Sequence, residues 1–200
     1  MKTETIHVTS LGLGMDEALA VTEKTGLASG LEKKQILRLR LLAEELIGML
    51  RGIAGDVEAD YWLERNGRAF ALHLRSDVTM TREMHEQLIA VSTSGENAAA
   101  KGFMGKIREM IAVALLPRES GSSLLSGLSL GLMSMAAPSA DTFRWSMKQY
   151  REAVDGEPAG SADAEAARDE LERSIVASIA DEVSVCVEGS CAEISITKAF

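Results

Sequence analysis

Small and large apolar residues recur at steps of three and four from Leu39 through Leu42, Ala43, Leu46 and Leu50 to Ile53. No other feature constrains the fold as much. The stripe predicts one long amphipathic helix over residues 32–53, which must bury that face against another layer. Gly55-Asp56 ends it, and the hydrophobic period then changes from 3.6 to 2. Residues 57–64 and 69–75 read as strands joined through Arg65-Asn66-Gly67-Arg68, and Asn-Gly is the strongest short hairpin signal. In the second strand Phe70, Leu72 and Leu74 take one face, while Ala71, His73 and Arg75 take the other.

The flanking segments extend the pattern. Residues 3–9 alternate, with Ile6 and Val8 in register, and predict a short strand. Gly12 and Gly14 break the chain, and Asp16 is placed to cap a helix over 17–28. A third helix is predicted over 79–91, followed by a polar loop at 92–101 and a helix from Phe103 that ends before Pro117. From 118 to 162 the composition shifts to Ser, Gly and Ala; within it, 142–154 reads as a short helix carrying Phe143, Trp145, Met147 and Tyr150. A further helix over 165–181 and a hairpin of 183–187 with 192–197 complete the chain. No internal repeat is visible. Consecutive hairpins with helices grouped between them indicate an α+β fold: a two-layer sandwich, its sheet mixed but mostly antiparallel, with helices on one face. The expected organisation is one domain over 1–200 with 117–164 as an insertion.

The chain is 46% hydrophobic, enough for a real core. Its formal charge of −9 repels phosphate backbones and excludes general nucleic-acid binding. Residues 121–137 are uncharged but short for a bilayer span and diluted by five serines, so no membrane role is expected. The N-terminus lacks a basic segment leading into an apolar run, and the expected location is cytoplasmic. Cys186 and Cys191 flank a predicted turn; with no further cysteine and no nearby histidine they make a poor zinc site and read as two reduced thiols. His7, His73 and His85 lie on separate elements without ligand spacing.

Four short segments carry a resemblance. They are Leu42–Met49 on the long helix, Arg75-Ser76-Asp77-Val78-Thr79, Ala100-Lys101-Gly102-Phe103-Met104-Gly105-Lys106-Ile107, and the final strand with Ser195 and Thr197. Together with the element order they resemble the histidine-kinase-like (Bergerat-fold) ATPase superfamily of DNA gyrase and histidine kinases. The likeness is greatest to small bacterial anti-sigma-factor serine kinases, and it covers roughly residues 1–116 and 165–200.

The resemblance implies a role for each matching position. Glu45 takes the place of the Glu that activates water or a substrate hydroxyl. The family's magnesium-binding Asn comes four residues later, where this chain has Met49, and a thioether does not ligate that hard cation. Asp77 matches the Asp that accepts from the adenine amino group, although Thr79 replaces the family's Gly. Lys101, Gly102, Gly105 and Lys106 match the glycine box that receives the phosphates at a helix N-terminus. Thr197, or Ser195, takes the place of the hydroxyl that supports the Asp. Bland readings stand beside these: Glu44 and Glu45 as solvated helix residues, Asp77 or Thr79 as a helix cap, Gly102 as a helix boundary and Thr197 as a sheet former.

The function implied is a degenerate regulatory protein that binds ATP without efficient turnover, with magnesium in doubt, and acts through a protein partner. The alternatives are a non-nucleotide-binding interaction scaffold and an active serine kinase of the anti-sigma-factor type. The 121–150 region is a candidate surface for a partner or a second copy.

Overall fold

The computed structural model describes residues 1–52, 57–78, 102–115, 142–158 and 160–200. In chain order these form β1 (Ile6–Thr9), α1 (Met15–Ala28), α2 (Lys33–Gly48), β2 (Glu58–Asn66), β3 (Ala69–Asp77), α3 (Phe103–Ala114), β4 (Thr142–Ser146), α4 (Met147–Gly156), α5 (Ala162–Arg173), α6 (Ile175–Ile179), β5 (Glu182–Glu188) and β6 (Cys191–Ala199). The long leucine-striped helix forms as expected, with Leu39, Leu42, Ala43 and Leu46 fully buried. Gln35 Oε1 accepts the Glu32 amide at its start. The α-helix ends at Gly48 and tightens into a 3-10 turn, Met49–Gly52, so it is shorter than the sequence pattern suggests.

The six strands are ordered β1-β2-β3-β6-β5-β4, and every neighbouring pair is antiparallel. The α+β class is as expected; the sheet is antiparallel throughout rather than mixed. Inner positions are buried in strict alternation: Ala59, Tyr61 and Leu63 on β2, Phe70, Leu72 and Leu74 on β3, Val183, Val185 and Val187 on β5, Ala192, Ile194 and Ile196 on β6. These side chains and the helices share one core. The opposite face carries polar and charged residues, the pattern of a sheet with one solvated side.

The sheet order reads the same from either edge. Three strands of a strand–helix–helix–strand–strand unit, β1-β2-β3, meet the three strands of a second unit, β4 to β6, which has the same strand order but three helices after its first strand. The central pair β3 and β6 runs antiparallel from Ala69↔Ala199 to Asp77↔Cys191, with His73↔Ser195 at its midpoint. This is the pairing that an approximate two-fold axis perpendicular to the sheet requires. Gly67 and Gly189 turn the two equivalent hairpins with φ of 61° and 60°.

Three local expectations are corrected. Residues 142–154 are not one helix: Thr142–Ser146 is the edge strand β4, paired with β5, and α4 begins only at Met147. Thr-Phe-Arg-Trp-Ser alternates, and burying Trp145 against the core overrides any local helical tendency. The helix expected over 165–181 is two, because Ser174 ends α5 with its amide and starts α6 with its hydroxyl, which accepts from the Ala177 amide. Asp16 is not the cap of α1; Gly14 is, at φ 74°.

The described part of the 117–164 stretch is no appendage. It supplies β4, α4 and the start of α5, and Trp145, Met147 and Tyr150 are core residues rather than an exposed partner surface. The predicted helix at 79–91, the loop at 92–101, His85 and residues 121–137 lie outside the described residues.

Candidate functional site

Three of the four segments singled out in the sequence reach one cavity, through Met49, through Ser76 and Val78, and through Ile194, whereas residues 100–107 supply none of its lining. The end of α2 and its 3-10 turn contribute Met49 and Leu50; β3 and the residue after it contribute Leu74, Ser76 and Val78; α3 contributes Arg108, Ile111 and Leu115; β6 contributes Ala192 and Ile194. Between them lies a cavity of about 30 Å³. Sites for drug-sized ligands run from about 300 Å³ upward, so this space is far too small for a nucleotide. Its lining is apolar apart from two residues. The Ser76 hydroxyl donates to the Glu58 carbonyl at 2.6 Å and is already committed. Arg108 is half-buried; its burial lowers its pKa, and it has no ion-pair or hydrogen-bond partner among the described residues.

The residues expected to carry nucleotide chemistry do not share this cavity. Met49 does face it, 5% exposed among leucines and other apolar groups. The position that would hold a cation in the resembled family is therefore a core position here. Glu45 lies half-buried on the flank of α2, and burial, followed by the charge of Glu44, raises its pKa.

Asp77 is exposed at the end of β3. Strand alternation puts it, with Arg75 and His73, on the outer face, so the sheet lies between Asp77 and the helices. Thr197 is on that outer face too, but Asp77 pairs with Cys191, six positions away along β6. At about 3.4 Å per residue the two are about 20 Å apart, and Ser195 is about 14 Å from Asp77. No hydroxyl of β6 supports Asp77 in the expected way.

Gly102 precedes α3, where its carbonyl accepts the Lys106 amide at 3.1 Å, and Gly105 is buried within the helix. Lys106 Nζ lies 2.6 Å from Glu170 Oε2 on α5, half-buried on both sides. That oxygen has no aligned hydrogen-bond donor among the described residues, so the contact is Coulombic. Its charge is thus used in holding α3 to α5. Lys101 lies outside the described residues.

Sequence reasoning missed the outer face itself. There the Trp62 and His73 rings stack with centroids 4.8 Å apart and planes 1° from parallel. Lys2 Nζ lies 4.3 Å from the Trp62 ring centre, a cation–π contact. His73 Nδ1 is 3.1 Å from Glu193 Oε1, and Trp62 Nε1 donates to Glu64 Oε1 at 3.2 Å. His73 Nε2 is buried without a partner among the described residues. From His73 a row of small hydroxyls crosses the sheet: Ser195, then Ser184, then Ser146. The signal was present. With the turn set at Asn66-Gly67, counting back along the hairpin places Trp62 opposite His73.

The two thiols also lie on this face. Cys186 pairs with Glu193 and Cys191 with Glu188, so the cysteines are diagonal neighbours rather than a directly opposed pair, and both are free. Diagonal side chains stand about 7–8 Å apart, beyond disulfide reach without backbone movement. Burial pushes the Cys191 thiol up in pKa against the opposing pull of Arg75.

Among the described residues no group of three or more acidic, histidine or cysteine side chains is placed to hold a metal ion, and no helix is long and apolar enough to cross a membrane. No family model, curated protein or solved structure matches the chain.

Proposed function

We propose that this protein is a non-catalytic interaction scaffold that binds a basic segment of a protein partner across the outer face of its sheet, without a nucleotide. One observation carries this reading: six strands present a face that no described element covers, while the residues that would serve a nucleotide are divided between its two sides. The face is net acidic. Glu58, Asp60, Glu64, Asp77 and Glu193 outnumber the cations Lys2, Arg75 and Arg144 around the Trp62–His73 stack. A partly exposed aromatic ringed by carboxylates suits a partner that offers Lys or Arg beside an apolar group. The two unpaired thiols fit a reducing compartment, and the cytoplasm is the location this reading assigns.

The test follows Trp62 fluorescence while a synthetic lysine- and leucine-containing peptide is titrated, alongside calorimetric titration with ATP and magnesium. The expected result is peptide binding that weakens with salt and is lost in the Asp60→Lys, Glu193→Lys double variant, with no heat from ATP. Magnesium-dependent ATP binding that disappears in Asp77→Ala would overturn the proposal. It would restore the second reading, a degenerate relative of the histidine-kinase-like ATPases. The meeting of three of the four segments at one cavity favours that alternative.

A further inference from the structure

We infer that the open face of the Trp62 indole seats one lysine side chain of the partner, and that Lys2 fills this seat until the partner displaces it. The assignment rests on the scaffold reading and specifies its partner. Trp62 stands on β2 between two neighbours. On the β3 side the His73 ring lies against it, planes 1° from parallel and centroids 4.8 Å apart, and closes one face of the indole. On the β1 side Lys2 reaches over the other face, with Nζ 4.3 Å from the ring centre. The π electrons of that face attract an ammonium. Lys2 sits directly opposite Glu64 on β2, and an opposed carboxylate is the ordinary cross-strand partner of a lysine. Glu64 Oε1 instead accepts from Trp62 Nε1 at 3.2 Å, and Lys2 makes no ion pair among the described residues. The indole face therefore holds a primary ammonium even with a carboxylate opposite.

The Lys2 side chain leaves this seat without disturbing the fold. The backbone on either side of it is pinned to β2: the Arg65 amide donates to the Met1 carbonyl at 2.7 Å, the Thr3 amide to the Leu63 carbonyl at 2.9 Å and the Leu63 amide to Thr3 Oγ1 at 3.0 Å. Lys2 itself is exposed, so only its side-chain torsions have to change. The same pinning keeps the released ammonium beside the ring, where it competes with any incoming cation. A partner lysine makes the same ring contact, and its flanking residues reach Asp60 and Glu193, which lie beyond Trp62 from the place of Lys2 on the sheet.

The experiment titrates the full chain with the lysine- and leucine-containing peptide and follows Lys2 by NMR. Protons over an indole face are shifted upfield by its ring current. The Lys2 ε-methylene is expected to start upfield and to move to the position of a free lysine as the peptide saturates. Calorimetry is expected to show a Kd about three- to sixfold lower for Lys2→Gln, because an exposed contact of this kind favours the seated ammonium about two- to fivefold over the released one. A Lys2 ε-methylene that never lies upfield or stays there at saturation, or a Kd unchanged in Lys2→Gln, overturns the displacement and leaves the scaffold reading in place. A peptide that binds neither protein overturns both. The NMR readout needs no variant and does not respond to a mere change of net charge.

Discussion

In the first half of the sheet, β1 reaches α1 through a turn whose Gly14 lies where an added Cβ would be 2.0 Å from the His7 carbonyl oxygen. In the second half, β4 passes directly into α4, with Ser146 both the last strand residue and the helix cap. The inner faces differ as well. β2 presents Tyr61, whose buried hydroxyl meets Thr22 Oγ1 at 2.7 Å, whereas β5 presents three valines and no polar group. The first half covers its strands with helices of 14 and 16 residues packed by apolar side chains. The second uses helices of 10, 12 and 5 residues, tied to neighbouring backbone by arginines: Arg151 donates to the Ala177 carbonyl and Arg168 to the Val154 carbonyl. The same strand order and pairing are thus built twice by different chemistry. A topology demands hydrophobic period, element length and turn position, and these leave residue identity largely free.

The sharpest test of the comparison is whether the halves unfold together. Trp145, 2% exposed and packed on Phe103 and Tyr150, anchors the second half. Trp145→Ala is expected to cost about 3–5 kcal/mol in urea unfolding. The nine paired positions of β3 and β6 join both cores, so a single transition is expected; two separated transitions would show that the halves are independent units.

The two strand-to-helix connections should respond unequally. Gly14→Ala must displace backbone as well as strain a φ of 74°, and at least about 2 kcal/mol is expected. Ser146→Ala removes a cap and should lose about 1 kcal/mol. Equal losses would show that the loop-free connection is as demanding as the glycine turn. Met49→Asn, the change that would rebuild a cation ligand in the resembled family, should instead destabilise by about 2 kcal/mol by placing an amide among apolar groups. A gain of stability with magnesium in that variant would show that the position is a ligand site after all.

The hairpins, by contrast, should behave alike. Nothing lies within 4 Å of a Cβ added at Gly67 or Gly189, so only backbone strain is at stake. Each alanine substitution should lose about 1 kcal/mol, and a clear inequality would weaken the two-fold description.

The smallest effect is a pH limb confined to the second half. Asp181 accepts from Lys198 Nζ and the Ala199 amide, both at 2.7 Å, where β5 begins and β6 ends. Burial raises its pKa, but these hydrogen bonds and the Lys198 charge outweigh it and hold the carboxyl below its ordinary value of 3.8. A depressed folded pKa contributes stability above the unfolded value and loses it as pH falls through the folded one. Wild type should therefore weaken below about pH 4, and Asp181→Asn should flatten that limb. An unchanged acid limb in the variant would assign it to other carboxylates.

Much of the first half was legible. The leucine stripe of α2 and the Asn66-Gly67 turn depend on neighbours in sequence, and both appear where the pattern puts them. The register that opposes Trp62 and His73 follows from the same turn by counting. The second half was harder to read because Thr142–Ser146 is too short to announce a strand; it is one because β5 lies beside it. The candidate site was read at the level of segments, of which three border one cavity and the fourth, 100–107, does not, and not at the level of side chains. The expectation for Asp77 took account of its place after a strand and not of which face it occupies.

The sequence by itself determined the class, the length and period of the main elements, and the positions of the two hairpin turns, since each is set by side chains within a few residues. Only the tertiary structure decided that the two units share one sheet, that β4 is an edge strand and that Asp77 and the helices lie on opposite sides of it. It also decided that the Lys2 ammonium lies over the Trp62 ring. Those outcomes depend on pairings between residues far apart in the chain, where what matters is how buried surfaces fit together rather than what any short stretch prefers.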